Sequence, residues 1–127
     1  MASLSIRIDL PPLGAVGPGK IRLLELVHET GSISAAGRAM DMSYRRAWLL
    51  VDALNHLFTE PLVTTKLGGK AGGGAALTPF GREVVRHYRA LESEAHAATK
   101  AHLKALEAAM AKTAPPAHIR KDIAEAE

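Results

Sequence analysis

At 127 residues the chain is long enough to bury one core without disulfides or metal, and a single domain is expected. It has no cysteine, which excludes a disulfide framework, thiolate zinc sites and cysteine nucleophiles together. Lys and Arg exceed Asp and Glu by 16 to 13, unevenly: ten basic residues face six acidic ones from Pro18 to Ala90, and five face six from Leu91 onward. A basic front and a near-neutral tail fit a polyanion contacted by one part of the chain, although ordinary charge scatter gives similar counts.

The opening MASLSIRIDLPP lacks a basic n-region and a long apolar h-region, so no secretory signal is expected. No apolar run approaches the ~18 residues that span a bilayer, which makes a soluble cytoplasmic protein the default. Leu4, Ile6 and Ile8 alternate with Ser5, Arg7 and Asp9, predicting a short half-buried strand ended by Pro11-Pro12. LGAVGPG follows as a loop. KIRLLELVHETGS places Ile21, Leu23, Leu24 and Val27 on one helical face, and Gly31 stops that helix.

A second helix is expected from Ser34 as N-cap through AAGRAM. A third runs from Ser43, again as N-cap, to about Leu57, turning Ala47, Leu50, Val51, Leu54 and Leu57 inward. Two helices joined by so short a turn cross closely and need a small residue at the contact. Gly37 supplies it, with Ala36, Met40, Met42, Ala47 and Leu50 as the apolar surround. Asp41 sits where the turn asks for a left-handed backbone, which Asp tolerates better than most residues.

This is the pattern of a helix-turn-helix. Its second helix would enter a major groove with the exposed first turn, Tyr44-Arg45-Arg46, toward the bases. Arg45 and Arg46 suit base edges and phosphates equally. Tyr44 and Trp48, four apart, share a face, and partial burial is the preferred reading of Trp48 over a DNA contact. Arg38 is placed on the backbone or in solvent. A plain pair of packed helices is the competing reading.

Pro61 ends the third helix. LVTTK and AALT then predict two short strands flanking LGGKAGGG, a hairpin with a long glycine-rich tip. The tip is not a nucleotide P-loop, because Lys70 is followed by Ala71 rather than a hydroxyl residue and leads into a strand. With no βαβ unit, no Ser–His–acid set and no paired-carboxylate cleft, no catalytic residue is assigned and an enzyme is not expected.

Thr78 caps the last helix and Pro79 opens it. It continues without a breaker to about residue 113, a rod of roughly 45–50 Å. Val84, Tyr88, Leu91, Ala95, Ala98, His102, Ala105 and Ala109 alternate steps of four and three, the spacing of a helix–helix seam, with Leu103, Leu106 and Met110 beside it. Dimerisation through Val84, Tyr88, Leu91, Ala95, Ala98, Leu103 and Leu106 is therefore expected, a helix folded back on its own domain being the alternative. His87, His96 and His102 lack ligand spacing, so no metal is expected. Residues 114–127 form a flexible tail.

GSISAAGRAMDMSYRRAW followed by LGGKAGGGAALTPFG resembles the N-terminal DNA-binding domain of the ModE family, the molybdate-responsive transcription regulators. The similarity runs from about Gly31 to Tyr88 and is most specific in SYRRAW and in GGKAGGG…LTPFG. A looser likeness to LysR-type regulators covers the same segments. The resemblance implies a mainly α fold with a small β-hairpin (α+β): a winged helix-turn-helix over residues 1–78, with the helix-turn-helix at about 34–57 and the wing at about 62–78.

It also implies a long dimerisation helix over 79–113 and a roughly palindromic double-stranded operator. Ser34, Ser43, Tyr44, Arg45 and Arg46 then fall on the DNA-binding face, with Lys66 and Lys70 in the wing, where Lys70 reaches a phosphate. Complete ModE regulators continue into small molybdate-binding β-barrels, for which nothing after Ala114 is suitable. No cofactor is expected in this chain, and molybdate sensing would need another domain or protein. The alternatives are a LysR-like regulator or a winged-helix protein-interaction module, either one unrelated to molybdate.

Overall fold

The computed structural model describes residues 1–66 and 74–126. An extended arm, Met1–Arg7, leads into an antiparallel hairpin of β1 (Ile8–Leu10) and β2 (Gly14–Val16), which pair Ile8 with Val16 and Leu10 with Gly14. Three helices follow, α1 (Pro18–Thr30), α2 (Ile33–Ala39) and α3 (Tyr44–Asn55), then a second antiparallel hairpin, β3 (Val63–Lys66) with β4 (Gly74–Leu77). The thirty-residue α4 (Pro79–Ala108) and a short α5 (Ala117–Ala126) complete the described chain. Among the described residues no helix is long and apolar enough to cross a membrane.

The core is where the periodicity places it. Ile21, Leu23, Leu24 and Val27 of α1 are fully buried and meet Ala36 of α2 and Ala47, Val51 and Leu54 of α3, with Leu62, Val63, Ala75 and Leu77 closing one side. Gly31 ends α1 in the left-handed region (φ +70°), and its N–H returns to the Val27 carbonyl at 2.8 Å. Gly37 lies at the α2–α3 crossing, where a Cβ would sit 2.9 Å from the Ala47 methyl. Asp41 holds the turn at φ +54°, as the sequence predicts.

Several expectations are corrected. The first hairpin was expected as one strand and a loop, but Pro11-Pro12 lies in its turn, where Leu13 N–H donates to the Leu10 carbonyl at 2.9 Å. Ser34 is not the cap of α2. Ser32 is extended there and its Oγ accepts the Ala35 N–H at 3.0 Å, because starting the helix two residues earlier buries Ile33. The long helix stops at Ala108, short of Pro115, and the segment assigned to a tail contains α5, exposed over residues 117–125.

Tyr88 leaves the expected helix–helix seam. Its ring is 2% exposed inside its own domain, and its hydroxyl donates to the Ile6 carbonyl at 2.6 Å; burial raises its pKa. Val84 is likewise partly buried against the core. The N-terminal arm lies along α4 beyond Tyr88, with the terminal ammonium 4.0 Å from Glu107.

A second tie crosses between helices. Arg89 of α4 grips Glu25 of α1 with two bonds of 2.7 and 3.0 Å and takes Glu92 at 2.7 Å. The Arg89 hydrogen bonds hold the Glu25 carboxyl below its ordinary pKa, against a smaller opposing effect of burial. A depressed carboxylate pKa stabilises the fold above the unfolded value, and that stabilisation is lost as pH falls through the folded one. Glu25→Gln should therefore lower the unfolding free energy at pH 7 by about 1 kcal/mol, as expected for a partly exposed bidentate pair. Urea titrations should show the difference shrinking below about pH 4, and a pH-independent difference would dismiss the ion pair as its cause.

Candidate nucleic-acid interface

The helix-turn-helix face is built by its caps. Ser43 is extended (φ −65°, ψ 156°), and its Oγ accepts the Arg46 N–H at 3.1 Å, so α3 begins at Tyr44 with its first turn in solvent. Arg45 and Arg46 project there, exposed, and neither forms an ion pair among the described residues. Arg38 is also exposed and donates to the Ser34 hydroxyl at 3.2 Å.

Ser34, Tyr44 and Lys66 are brought together. They line one cleft of about 190 Å³ between the helix-turn-helix and the second hairpin, with Ser32, Ile33, Trp48, Thr65, Gly74 and Ala75. Ser43, Arg45 and Arg46 lie outside that lining, on the adjoining turn. Lys70 and the glycine-rich tip fall outside the described residues.

Trp48 is partly buried, as expected, at 37% exposed, but it packs edge-to-face on Tyr44 rather than on the core, with ring centroids 6.3 Å apart, and its Nε1–H donates to the Tyr44 hydroxyl. The i, i+4 spacing signalled the pairing. It could not signal the seat off the core, because the core beneath α3 is already filled by Ala47, Val51 and Leu54.

Sequence reasoning also missed Asn55. Its Oδ1 accepts the Leu62 and Val63 N–H groups at 2.9 and 3.0 Å, and its Nδ2 donates to the Val63 carbonyl at 3.0 Å. The end of α3 is thereby tied to the start of β3. On the other strand, Ala75 N–H donates to the Gly31 carbonyl at 2.9 Å. Both strands of the hairpin are thus fixed to the helices, which aims it beside α3. Two helices crossing at a tight turn, a projecting second helix and a clamped hairpin together define a winged helix-turn-helix.

The comparisons agree with this geometry. Residues 19–82 match the family described as bacterial regulatory helix-turn-helix protein, lysR family, and the chain belongs to that family. It is 43% identical over 94 residues to the molybdenum transport protein ModE of Azotobacter vinelandii, covering 74% of this chain and 34% of that protein. It is 47% identical over 78 residues to the molybdenum-pterin-binding protein MopB of Rhodobacter capsulatus, covering 61% and 29%. With the DNA-binding transcriptional dual regulator ModE of Escherichia coli (strain K12) it shares 38% identity over 71 residues, 56% of this chain and 27% of that protein. The chain thus spans about a third or less of the length of these relatives.

Removing the Asn55 side chain leaves two N–H groups at the buried Leu62 and Val63 without an acceptor. Asn55→Ala should destabilise the domain by about 2 kcal/mol, read as a lower urea midpoint. An unchanged midpoint would mean that the clamp does not hold the hairpin.

Proposed function

We propose that the chain is a sequence-specific transcriptional regulator that lays α3 in the major groove of a double-stranded operator and sets its wing on the neighbouring backbone. The observation that carries this reading is the first turn of α3, where two arginines stand in solvent at the end of the helix that a helix-turn-helix presents to DNA. A guanidinium there can grip guanine bidentately or neutralise a phosphate. Access to the operator places the protein in the cytoplasm.

The same reading extends to a homodimer. With Tyr88 and Val84 drawn into the domain, Leu91, Ala98, His102 and Ala105 remain as an exposed stripe on α4 that ends at its cap residue Ala109, with Leu106 beside it. Ala95 and Leu103 are half-buried at its edge. Leu91 also borders an apolar groove of about 260 Å³ lined by Ile8, Leu10, Phe58, Phe80 and Val84, so the stripe and the groove form one continuous surface for a second copy.

The names of the relatives connect them with molybdenum, and by extension the genes controlled are those of molybdenum handling. No strand follows β4 among the described residues. Molybdate sensing is therefore assigned to another domain or to a separate protein, and no cofactor is assigned to the winged domain.

Retention on duplex DNA should fall steeply with salt, because each neutralised phosphate releases counterions. No retention at low salt would sink the reading. Arg45→Ala should weaken binding to a duplex selected from a random pool, with ~1–3 kcal/mol less discrimination at one base position if it reads an edge. Equal affinity for mutant and wild type would remove α3 as the reader. Ala98→Glu should convert a dimer to a monomer by mass measurement without altering the helical signal, and a dimer that survives would place the interface elsewhere.

A further inference from the structure

We infer that the cleft between α3 and the wing seats one DNA backbone phosphate, and that Trp48 is the positioning residue that turns the Tyr44 hydroxyl into its donor. This rests on the DNA-binding reading above and adds to it the group that is bound and the way the site is made.

The cleft is lined by Ser32, Ser34, Tyr44, Thr65 and Lys66, residues that carry four hydroxyls and one ammonium, together with Ile33, Trp48, Gly74 and Ala75. No carboxylate is among these lining residues. Three of the four hydroxyls already accept a hydrogen bond from the protein. Ser32 Oγ takes the Ala35 N–H at 3.0 Å, Ser34 Oγ takes Arg38 Nη1 at 3.2 Å, and Tyr44 takes Trp48 Nε1. A hydroxyl that accepts in this way keeps its own proton to give, and the lysine has donors only.

The cleft therefore offers protons and positive charge. A DNA phosphate is an acceptor-only anion and matches that surface. A base edge in the major groove presents donors as well as acceptors at most base pairs, and matches it less well. At about 190 Å³ the cleft holds roughly six water volumes, enough for a phosphodiester with bridging waters.

Trp48 acts through Tyr44. Indole has one N–H and no acceptor, so its bond to the phenol oxygen fixes which way the hydroxyl proton can point. It also polarises that O–H, as successive bonds in a chain do. The edge-to-face contact, at 77° between ring planes, holds the phenol against rotation away from the wing. The sugar-phosphate ridge that separates the major groove under α3 from the minor groove under the wing is the part of a duplex that enters here.

The test uses the full chain and two probes, a duplex selected by the wild-type protein from a randomised pool and a duplex of scrambled sequence. Tyr44→Phe should lose about tenfold in affinity on both, with base preference unchanged. Trp48→Phe should lose less on both, and should lose nothing further in the Tyr44→Phe background. Lys66→Gln should lower the salt slope by about one. Replacing phosphates of the selected duplex one at a time by neutral methylphosphonate should reveal one position that weakens the wild type but not Tyr44→Phe. Circular dichroism should match the wild type for each variant.

A changed preference at a single base would make Tyr44 a base reader and overturn the phosphate seat. Additive losses in the double variant would remove Trp48 as positioning residue. Full affinity in Tyr44→Phe and Lys66→Gln, with the wild type binding normally, would leave the cleft without a phosphate. A wild type that binds neither probe would instead overturn the DNA-binding reading itself.

Discussion

Recognition helix, wing and long helix meet at the main chain of Leu62 and Val63, and the hydrogen bonds closed there set the angles between them. Asn55, at the end of α3, holds both N–H groups. The Leu62 carbonyl takes the Thr78 N–H at 2.9 Å, while the Thr78 hydroxyl reaches the Pro61 carbonyl at 2.8 Å and caps α4 by accepting the Gly81 N–H at 2.8 Å. The first turn of α4 passes so close that a Cβ on residue 81 would stand 2.1 Å from the Leu62 carbonyl oxygen, a collision with backbone that only glycine avoids. A site that spans two elements binds well only if their relative placement is held within fractions of an ångström. Here that placement depends on a handful of backbone bonds rather than on the wing's own small share of the core.

The parts of this arrangement that were legible in the sequence are the local ones. The stripes of α1 and α3, the Ser43 and Thr78 caps, the left-handed Asp41 and the small Gly37 each follow from residue type and spacing within a turn or two. What escaped depends on partners far along the chain. The Tyr88 hydroxyl finds Ile6, and the clamp of Asn55 is a matter of the backbone path after Pro61. A tyrosine at helical spacing looks the same whether it faces a second copy or its own N-terminal arm. Between Ser32 and Ser34 the cap was decided by where Ile33 could be buried, and the proline pair marked a turn between strands rather than an end. The exposed first turn of α3, which the proposed function gives to DNA, was legible in outline, but the seat of Trp48 on Tyr44 needed the filled core beneath it.

Charge is partitioned by the same packing. Arg22 pairs with Glu25 and Glu29 and Arg89 with Glu25 and Glu92, where α1 and α4 lie together, and Arg86 pairs with Glu83 along α4. Arg38, Arg45, Arg46 and Lys66 have no such partners among the described residues and lie on the helix-turn-helix and wing. The sequence has a modest excess of positive charge, which by itself says little about a partner. Four of the unpaired cations thus stand on the helix-turn-helix and wing, the side that the proposed function gives to DNA.

The family match covers residues 19–82 and ends at Arg82, one turn into α4, so it takes in the helix-turn-helix, the second hairpin and their clamp. The remaining turns of α4 do different work. One face carries the N-terminal arm from Tyr88 toward Glu107, and the arm leaves a narrow stripe of alanines, Leu91 and His102 open beside it. In the proposed dimer a second copy meets the stripe beside the arm, where small side chains let two helices come close together. In the proposed dimer the separation and twist of the two reading heads follow from that approach. On that proposal α4 and the arm would set the spacing of operator half-sites and α3 the choice of bases, two properties held in separate stretches of one chain.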